Sequence, residues 1–395
     1  VKFLLLNYDY KDFLRQLYAR NPGLEKRSYD EQMKARNESL FSVGNFFSNH
    51  LQRLGYEAWD IHANNEFLQK QWALEHGHYE YSPARIYNES IPLIKTARRI
   101  AGKTPLRRIK RLFQPLANWL DSRREEWYYS ILEKQIKHYK PDVMLNMDIT
   151  NICASFLRDV KHHSKLLVGI HAAPLPQDQD LSVYDLMISS LPNLVEFFRQ
   201  SSIPSELLLW CFEPTVLEQL SKTGETIPVS FVGNISSAHS SRTKWLEDVC
   251  GSVYVDVWCN GVKYLPEDSP ILKGYRGTVW GSEMYNILLR SRMTLNHHID
   301  MAESYANNMR LFEATGVGTL LITDWKKNLR EIFEPGGEVV TYRTPEECRE
   351  KILYYLQHED ERAVIARAGQ NRTLKDHTFL KRTEQLASIV KNYLH

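Results

Sequence analysis

The stretch TLNHHIDMAESYANNMRLFEATGVGTLLITDW, Thr294 to Trp325, limits what this chain can fold into more than any other part of it. A short apolar run ends at Asn296 and a polar loop follows. From Ala306 to Thr315 the spacing is helical, with Met309, Phe312 and Gly316 on one side, and Thr319 to Thr323 is apolar again. Strand, loop, helix and strand in that order make the smallest unit of a parallel sheet, because parallel neighbours need a crossover between them. The loop after the first strand then lies at the carboxyl end of the sheet, in the crevice where ligands bind.

The unsatisfied N–H groups of a first helical turn at Ala306 to Met309 carry partial positive charge and suit a diphosphate. Arg310 adds a full charge on a planar donor fork, and Asn307 and Asn308 add amides. Glu313 lies about one turn beyond Arg310 on the same face, placed to accept hydrogen bonds from sugar hydroxyls.

A chain of 395 residues exceeds the size at which one core keeps growing, so two domains are expected. A net charge of +2 gives no argument for nucleic acid or acidic partners. The five cysteines, Cys153, Cys211, Cys250, Cys259 and Cys348, show no C-x-x-C spacing and are expected as unpaired thiols in a reducing compartment. No apolar run approaches the roughly 20 residues of a membrane span, and the opening VKFLLLN reads as a buried strand, so a cytoplasmic location is expected.

Apolar runs predict strands at Lys2–Leu6, Tyr56–His62, Asp142–Met147, Leu166–Ile170, Asp185–Ser189, Ile227–Val232, Val253–Trp258 and Glu338–Tyr342. Helical spacing predicts one long helix over Tyr29–Leu54, a helical insertion from Asn64 to Tyr139, and helices closing the chain after Pro345. Leu207 to Thr226, where proline and charge replace the apolar pattern, reads as the link between domains.

A hydroxyl that is to act as a nucleophile in such a crevice needs a group that takes its proton. Asp9, Asp148 and His171 each follow a predicted strand and are the candidates, each with a structural role as the competing explanation. Gly233, Asn234 and Ser236 form a small-residue loop after the strand from Ile227, where backbone can approach phosphate and Ser236, His239 and Arg242 can bond its oxygens. His297 and His298 are adjacent at a strand end and point to opposite sides, so one of them, His297, is a candidate to face the donor. Asp178-Gln179-Asp180 spells D-x-D in a proline-rich loop, which reads as solvated loop because two carboxylates do not make a magnesium site. No metal site is expected. Lys95 to Arg111 holds eight basic residues and no acidic one, interleaved with apolar residues. It is either a solvated face or a peripheral contact with an anionic membrane surface.

The run LNHHIDMAESYANNMRLFEATGVGTLLITDWKKNL, with FEPGGEVVTYRTPEEC after it, resembles the donor domain of glycosyltransferases of the GT-B architecture. More narrowly it is similar to the spore-maturation-protein CgeB-like group, a resemblance that extends to Asn7-Tyr8, RNPG, RSYDE, Pro174 to Pro176 and Phe231 to Gly233. It implies an α/β fold of two doubly wound, Rossmann-like domains facing each other across a cleft. Residues 1–212 would form the acceptor side, with the helical basic insertion at about 64–139. Residues 213–375 would form the donor side, and 376–395 a helix returning to the first domain. It further implies a nucleotide diphosphate sugar as co-substrate, no cofactor or metal, Glu313 on the ribose, Trp280 near the base, and a glycan, protein or lipid-linked acceptor. Many retaining members carry two glutamates eight positions apart; here Glu313 matches the second and Tyr305 stands at the first. The rivals are a nucleotide-sugar epimerase of the same architecture and a non-catalytic surface-layer scaffold.

Overall fold

The computed structural model describes residues 1–78, 126–175, 180–221, 223–236 and 240–394. The basic segment Lys95–Arg111, much of the insertion around it, Asp178, Gln179 and His239 lie outside the described residues.

Among the described residues twelve strands form two six-stranded parallel sheets. The first runs β2-β1-β3-β4-β5-β6, from β1 (Lys2–Asn7), β2 (Glu57–His62), β3 (Val143–Asn146), β4 (Leu166–Ile170), β5 (Leu186–Ser189) and β6 (Ser205–Leu207). The second runs β12-β11-β10-β7-β8-β9, from β7 (Ile227–Asn234), β8 (Asp256–Asn260), β9 (Tyr275–Gly277), β10 (Ser291–Asn296), β11 (Leu320–Asp324) and β12 (Val340–Tyr342). Each sheet reverses its winding beside its first strand, between β1 and β3 and between β7 and β10, and such reversals open a crevice at the carboxyl ends. The continuous apolar runs have their reason in burial on both faces: Phe3 and Leu5 pack into one core, Leu4 and Leu6 into another.

The single helix expected over Tyr29–Leu54 is two, Tyr29–Glu38 and Phe46–Arg53. Between them Leu40, Ser42 and Gly44 have positive φ of 57°, 56° and 51°. The apolar spacing continued through this loop because Leu40, Phe41 and Val43 are buried by tertiary contacts and not by a helix face. Phe41 stacks on Phe13 at 4.0 Å and its carbonyl accepts a hydrogen bond from Arg36. Two edge strands of three residues, β6 and β9, escaped the sequence reading, the first ending where the expected link begins and the second ending at Gly277. The strand expected at Val253–Trp258 forms later, at Asp256–Asn260.

The chain crosses between the halves twice, and the two crossings pair with each other. The Phe212 N–H donates to the His377 carbonyl (2.9 Å), and the Phe379 N–H donates to the Phe212 carbonyl (3.0 Å). The closing helix Phe379–Tyr393 then lies on the first sheet's side, with Phe379 5.0 Å from the rings of both Phe46 and Phe47. All five cysteines are free. Among the described residues no helix is long and apolar enough to cross a membrane.

Candidate active site

The carboxyl ends of the two sheets enclose a cleft of about 620 Å³ lined by both halves of the chain. On the side of the second sheet, β7 delivers Gly233 and Asn234, β8 delivers Asn260 and β10 delivers Asn296. Their amides hold the rim together. Asn260 donates to the Asn234 side chain (3.2 Å), and Asn296 donates to Thr323 Oγ1 (2.9 Å) while accepting from Asn308 (2.6 Å).

The helix expected from Ala306 begins only at Arg310 and ends at Gly316. Side chains hold the preceding residues out of it: the Ala306 N–H donates to Asn328 Oδ1 (2.7 Å), Asn307 accepts from the Ser190 hydroxyl, and Asn308 pairs with Asn296. Asn307 and Asn308 line the cleft, the Asn307 oxygen engaged by Ser190 and the Asn308 amide by Asn296. The amino end of the helix Ser240–Cys250 is occupied as well, its Ser240 and Ser241 hydroxyls donating to Asp300. The helix amino end on the cleft therefore lies at Met309 and Arg310 and not at Ala306, and full positive charge beside it comes from side chains.

Those side chains are Arg242 and Arg310. Arg242 donates to the Asn234 carbonyl, and among the described residues its buried Nε has no partner and no ion pair includes it. Burial, and then the positive field of Arg310, bring its pKa down to about 10. Arg310 places Nη1 2.9 Å from Glu313 Oε2, too poorly aligned for a hydrogen bond, and its Nε is likewise buried without a partner. Glu313 is buried, which raises its pKa, and the Arg310 charge only partly offsets this. The two guanidiniums stand on one cleft, and each keeps N–H groups that no described residue accepts.

Neither histidine of the pair reaches the cleft. His297 stacks on Trp245 at 4.9 Å and sits 3.0 Å from the Tyr342 hydroxyl, and His298 Nδ1 is 2.6 Å from Asp324 Oδ1. The aromatic and carboxylate partners behind the strand end capture both rings, so the candidate donor role of His297 is withdrawn. Ser236 lies in the turn beyond β7, outside the cleft lining. Tyr305 packs among apolar residues of the first domain, with Lys327 Nζ 4.0 Å from its ring centre. Trp280 does line the cleft, in T-shaped contact with Phe41 (5.2 Å) and Tyr10 (5.6 Å) of the other domain.

On the first sheet's side the three acid–base candidates separate. Asp9 is buried away from the cleft lining, bonded to Arg36 Nη2 (2.5 Å) and 3.0 Å from His62 Nδ1, and these partners hold its carboxyl far below the usual range despite burial. It is a structural ion and not an available base. Asp148 lines the cleft but also closes its own turn, accepting from the N–H groups of Thr150 (2.9 Å) and Asn151 (3.0 Å). His171 lines the cleft with Nε2 3.3 Å from the Pro174 carbonyl oxygen, which can only accept, so Nε2 carries the proton. Burial lowers its pKa, which keeps the ring neutral. Asp180 of the D-x-D run pairs with Arg158 and caps Ser182, and among the described residues no cluster of three or more metal-ligating side chains occurs. The sequence reading missed Tyr10, Arg36, Asn260 and Asn296; the last two end strands, the signal that singled out Asp148 and His171.

Two facing doubly wound domains with the site between them define the GT-B architecture. Residues 216–388 match the model of a family described as glycosyl transferase-like. Among solved structures, HepE of Anabaena in complex with UDP-glucose superposes with a TM-score of 0.54 at 11% identity, over 99% of this chain and 99% of that one. A glycosyltransferase from Rickettsia africae gives 0.52 at 12% identity, over 100% and 98%. AviGT4, a glycosyltransferase involved in avilamycin A biosynthesis, gives 0.51 at 12% identity, again over 100% and 98%. No curated protein sequence matches the chain. The match and the fold together support a glycosyltransferase of GT-B architecture.

Proposed function

We propose that this protein transfers a sugar from a nucleoside diphosphate sugar, held by the carboxyl-terminal domain, to an acceptor hydroxyl bound by the amino-terminal domain, without a divalent metal. The observation that carries the reading is Arg242 and Arg310 on one cleft, each with a buried, unpartnered Nε. When the bond from the anomeric carbon to the diphosphate oxygen breaks, charge gathers on the leaving group, and preorganised guanidiniums meet it there. Glu313, the matching glutamate of the GT-B resemblance, accepts from the ribose hydroxyls, with Arg310 beside it fixing its rotamer. His171 takes the acceptor proton as the new oxygen–carbon bond forms, because it is neutral, on the cleft and not committed to another charge. The neighbour solved with UDP-glucose supports a uridine diphosphate sugar as the first donor to try. The central run supports placing the chain near the CgeB-like group.

The test is release of nucleotide from UDP-, GDP- and dTDP-hexoses with an acceptor mixture, in the presence of a chelator. One donor is expected to turn over at an undiminished rate with chelator, and Arg242→Ala should lower the rate about 100-fold. Epimerised donor formed without acceptor, or strict dependence on added metal, would contradict the proposal.

A further inference from the structure

The amino-terminal rim of the cleft carries its own pattern. Tyr10, just ahead of the helix Lys11–Arg20, is 54% exposed although it lines the cleft, and it makes T-shaped contacts with Phe41 and Trp280. Asp148 lines the same cleft with Tyr10 and His171; burial first, and then the Asp148 charge, raise the pKa of the Tyr10 phenol. Asp148 Oδ2 accepts one hydrogen bond, from Asn151 Nδ2 (2.8 Å), which leaves a lone pair on the oxygen and one hydrogen on the amide. Among the described residues of the first domain that line this cleft the one cation is Arg36, and Asp9 neutralises it.

From this we infer that the amino-terminal half of the cleft is a subsite for a neutral saccharide, with the Tyr10 ring as its platform and Asp148 with Asn151 as its hydroxyl clamp. The inference rests on the glycosyl-transfer reading above and names the acceptor class. A tyrosine ring more than half exposed on a cleft offers a flat, electron-rich apolar surface, complementary to the C–H face of a pyranose. A carboxylate beside an amide accepts from one hydroxyl of a vicinal pair and donates to the other. An acceptor bearing phosphate or carboxylate would meet the Asp148 charge with no described cation on this rim to offset it. The bound hydroxyl lies beside His171, so its oxygen attacks the anomeric carbon, the bond to the diphosphate breaks, and its proton passes to the imidazole.

Saturation-transfer NMR on the UDP-saturated protein tests this with methyl hexosides, glucose 6-phosphate, a methyl glucuronide and a serine-containing peptide as probes. The neutral glycosides should receive saturation, Tyr10→Phe should keep it, and Tyr10→Ala should cut it about five-fold. Asp148→Asn, which retains an oxygen for its turn, should admit the anionic sugars. Stronger saturation of the anionic sugars or the peptide in the unmodified protein would overturn the inference, as would a neutral-glycoside signal indifferent to Tyr10→Ala. The melting shift caused by UDP in the same sample separates two failures. A shift without saccharide binding overturns the subsite alone, and absence of both overturns the donor reading with it.

Discussion

The carbonyl oxygen of Ser39 occupies the place a β-carbon at position 281 would need: one built on Gly281 falls 1.9 Å from it. Gly281 also has φ +52°, and the next N–H, of Ser282, donates to that same oxygen at 2.9 Å. The first turn of the second domain's helix Gly281–Arg290 is therefore docked directly on the backbone of the first domain, next to Trp280. Gly281→Ala should force the two halves apart. A misplacement of about 1 Å between reacting groups can cost about 100-fold in rate, so kcat/KM should fall on that scale while small-angle scattering shows a larger radius of gyration. Gly336→Ala, at φ +85° with open space around it, should cost only the left-handed penalty of about 1 kcal/mol in stability and leave activity intact.

Asp9 separates a structural from a catalytic reading. Its carboxylate neutralises Arg36, and both side chains are 2% exposed. Asp9→Ala strands that guanidinium and should cost about 3–5 kcal/mol of stability. Urea denaturation should show this loss, and turnover per folded molecule should stay within a few-fold of normal.

Glu313 gives nucleotide binding a pH dependence. Its pKa is raised by burial, with Arg310 opposing, so on acidification it takes up a proton before a free glutamate would. The protonated acid accepts from ribose hydroxyls poorly, and affinity should decline as pH falls towards the raised pKa. Glu313→Gln should bind about 10- to 100-fold more weakly at neutral pH, the range for losing a charged hydrogen bond, and its affinity should not change with pH. Titration calorimetry across pH 5 to 8 checks both.

His377 ties acid sensitivity to the hinge. Its Nε2 donates to the Ile332 carbonyl (2.9 Å) and its Nδ1 accepts from Arg382 (2.7 Å), so the folded protein holds it neutral. Burial, with Arg382 and Arg372 nearby, lowers its pKa from 6.5 to about 4. A depressed pKa means that the unfolded chain binds the proton first. The stability is complete above about pH 6.5 and drains away as pH falls towards 4, by roughly 2 kcal/mol at pH 5. Urea midpoints at pH 7 and pH 5 should differ by more in the unmodified protein than in His377→Gln.

The fold was legible because parallel interior strands write themselves as unbroken apolar runs, and Leu4, Met144 and Leu321 could be buried in no other way. Asp148 and His171 were legible as cleft residues because they follow such runs. What misled was apolar spacing sustained by tertiary contact: Phe41 looked like a helix face and is a loop residue pressed on Phe13 and Trp280. Asp9 and His297 look catalytic by position, and only the fold brings up the partners that occupy them, Arg36 from 27 residues away and Tyr342 from 45. Tyr10 and Arg36 gave no signal of their own, since nothing local tells an exposed tyrosine on a cleft from one on an open surface.

The central claim is that Arg242 and Arg310 bind a diphosphate, and calorimetric titration of UDP, GDP and dTDP, each against its own nucleoside, addresses it most directly. One diphosphate should bind at least about 100-fold more tightly than its nucleoside, the worth of charge-assisted contacts to both arginines, and alanine at either position should erase most of that difference. A diphosphate that binds no better than its nucleoside, or that binds unchanged when both arginines are removed, would contradict the account.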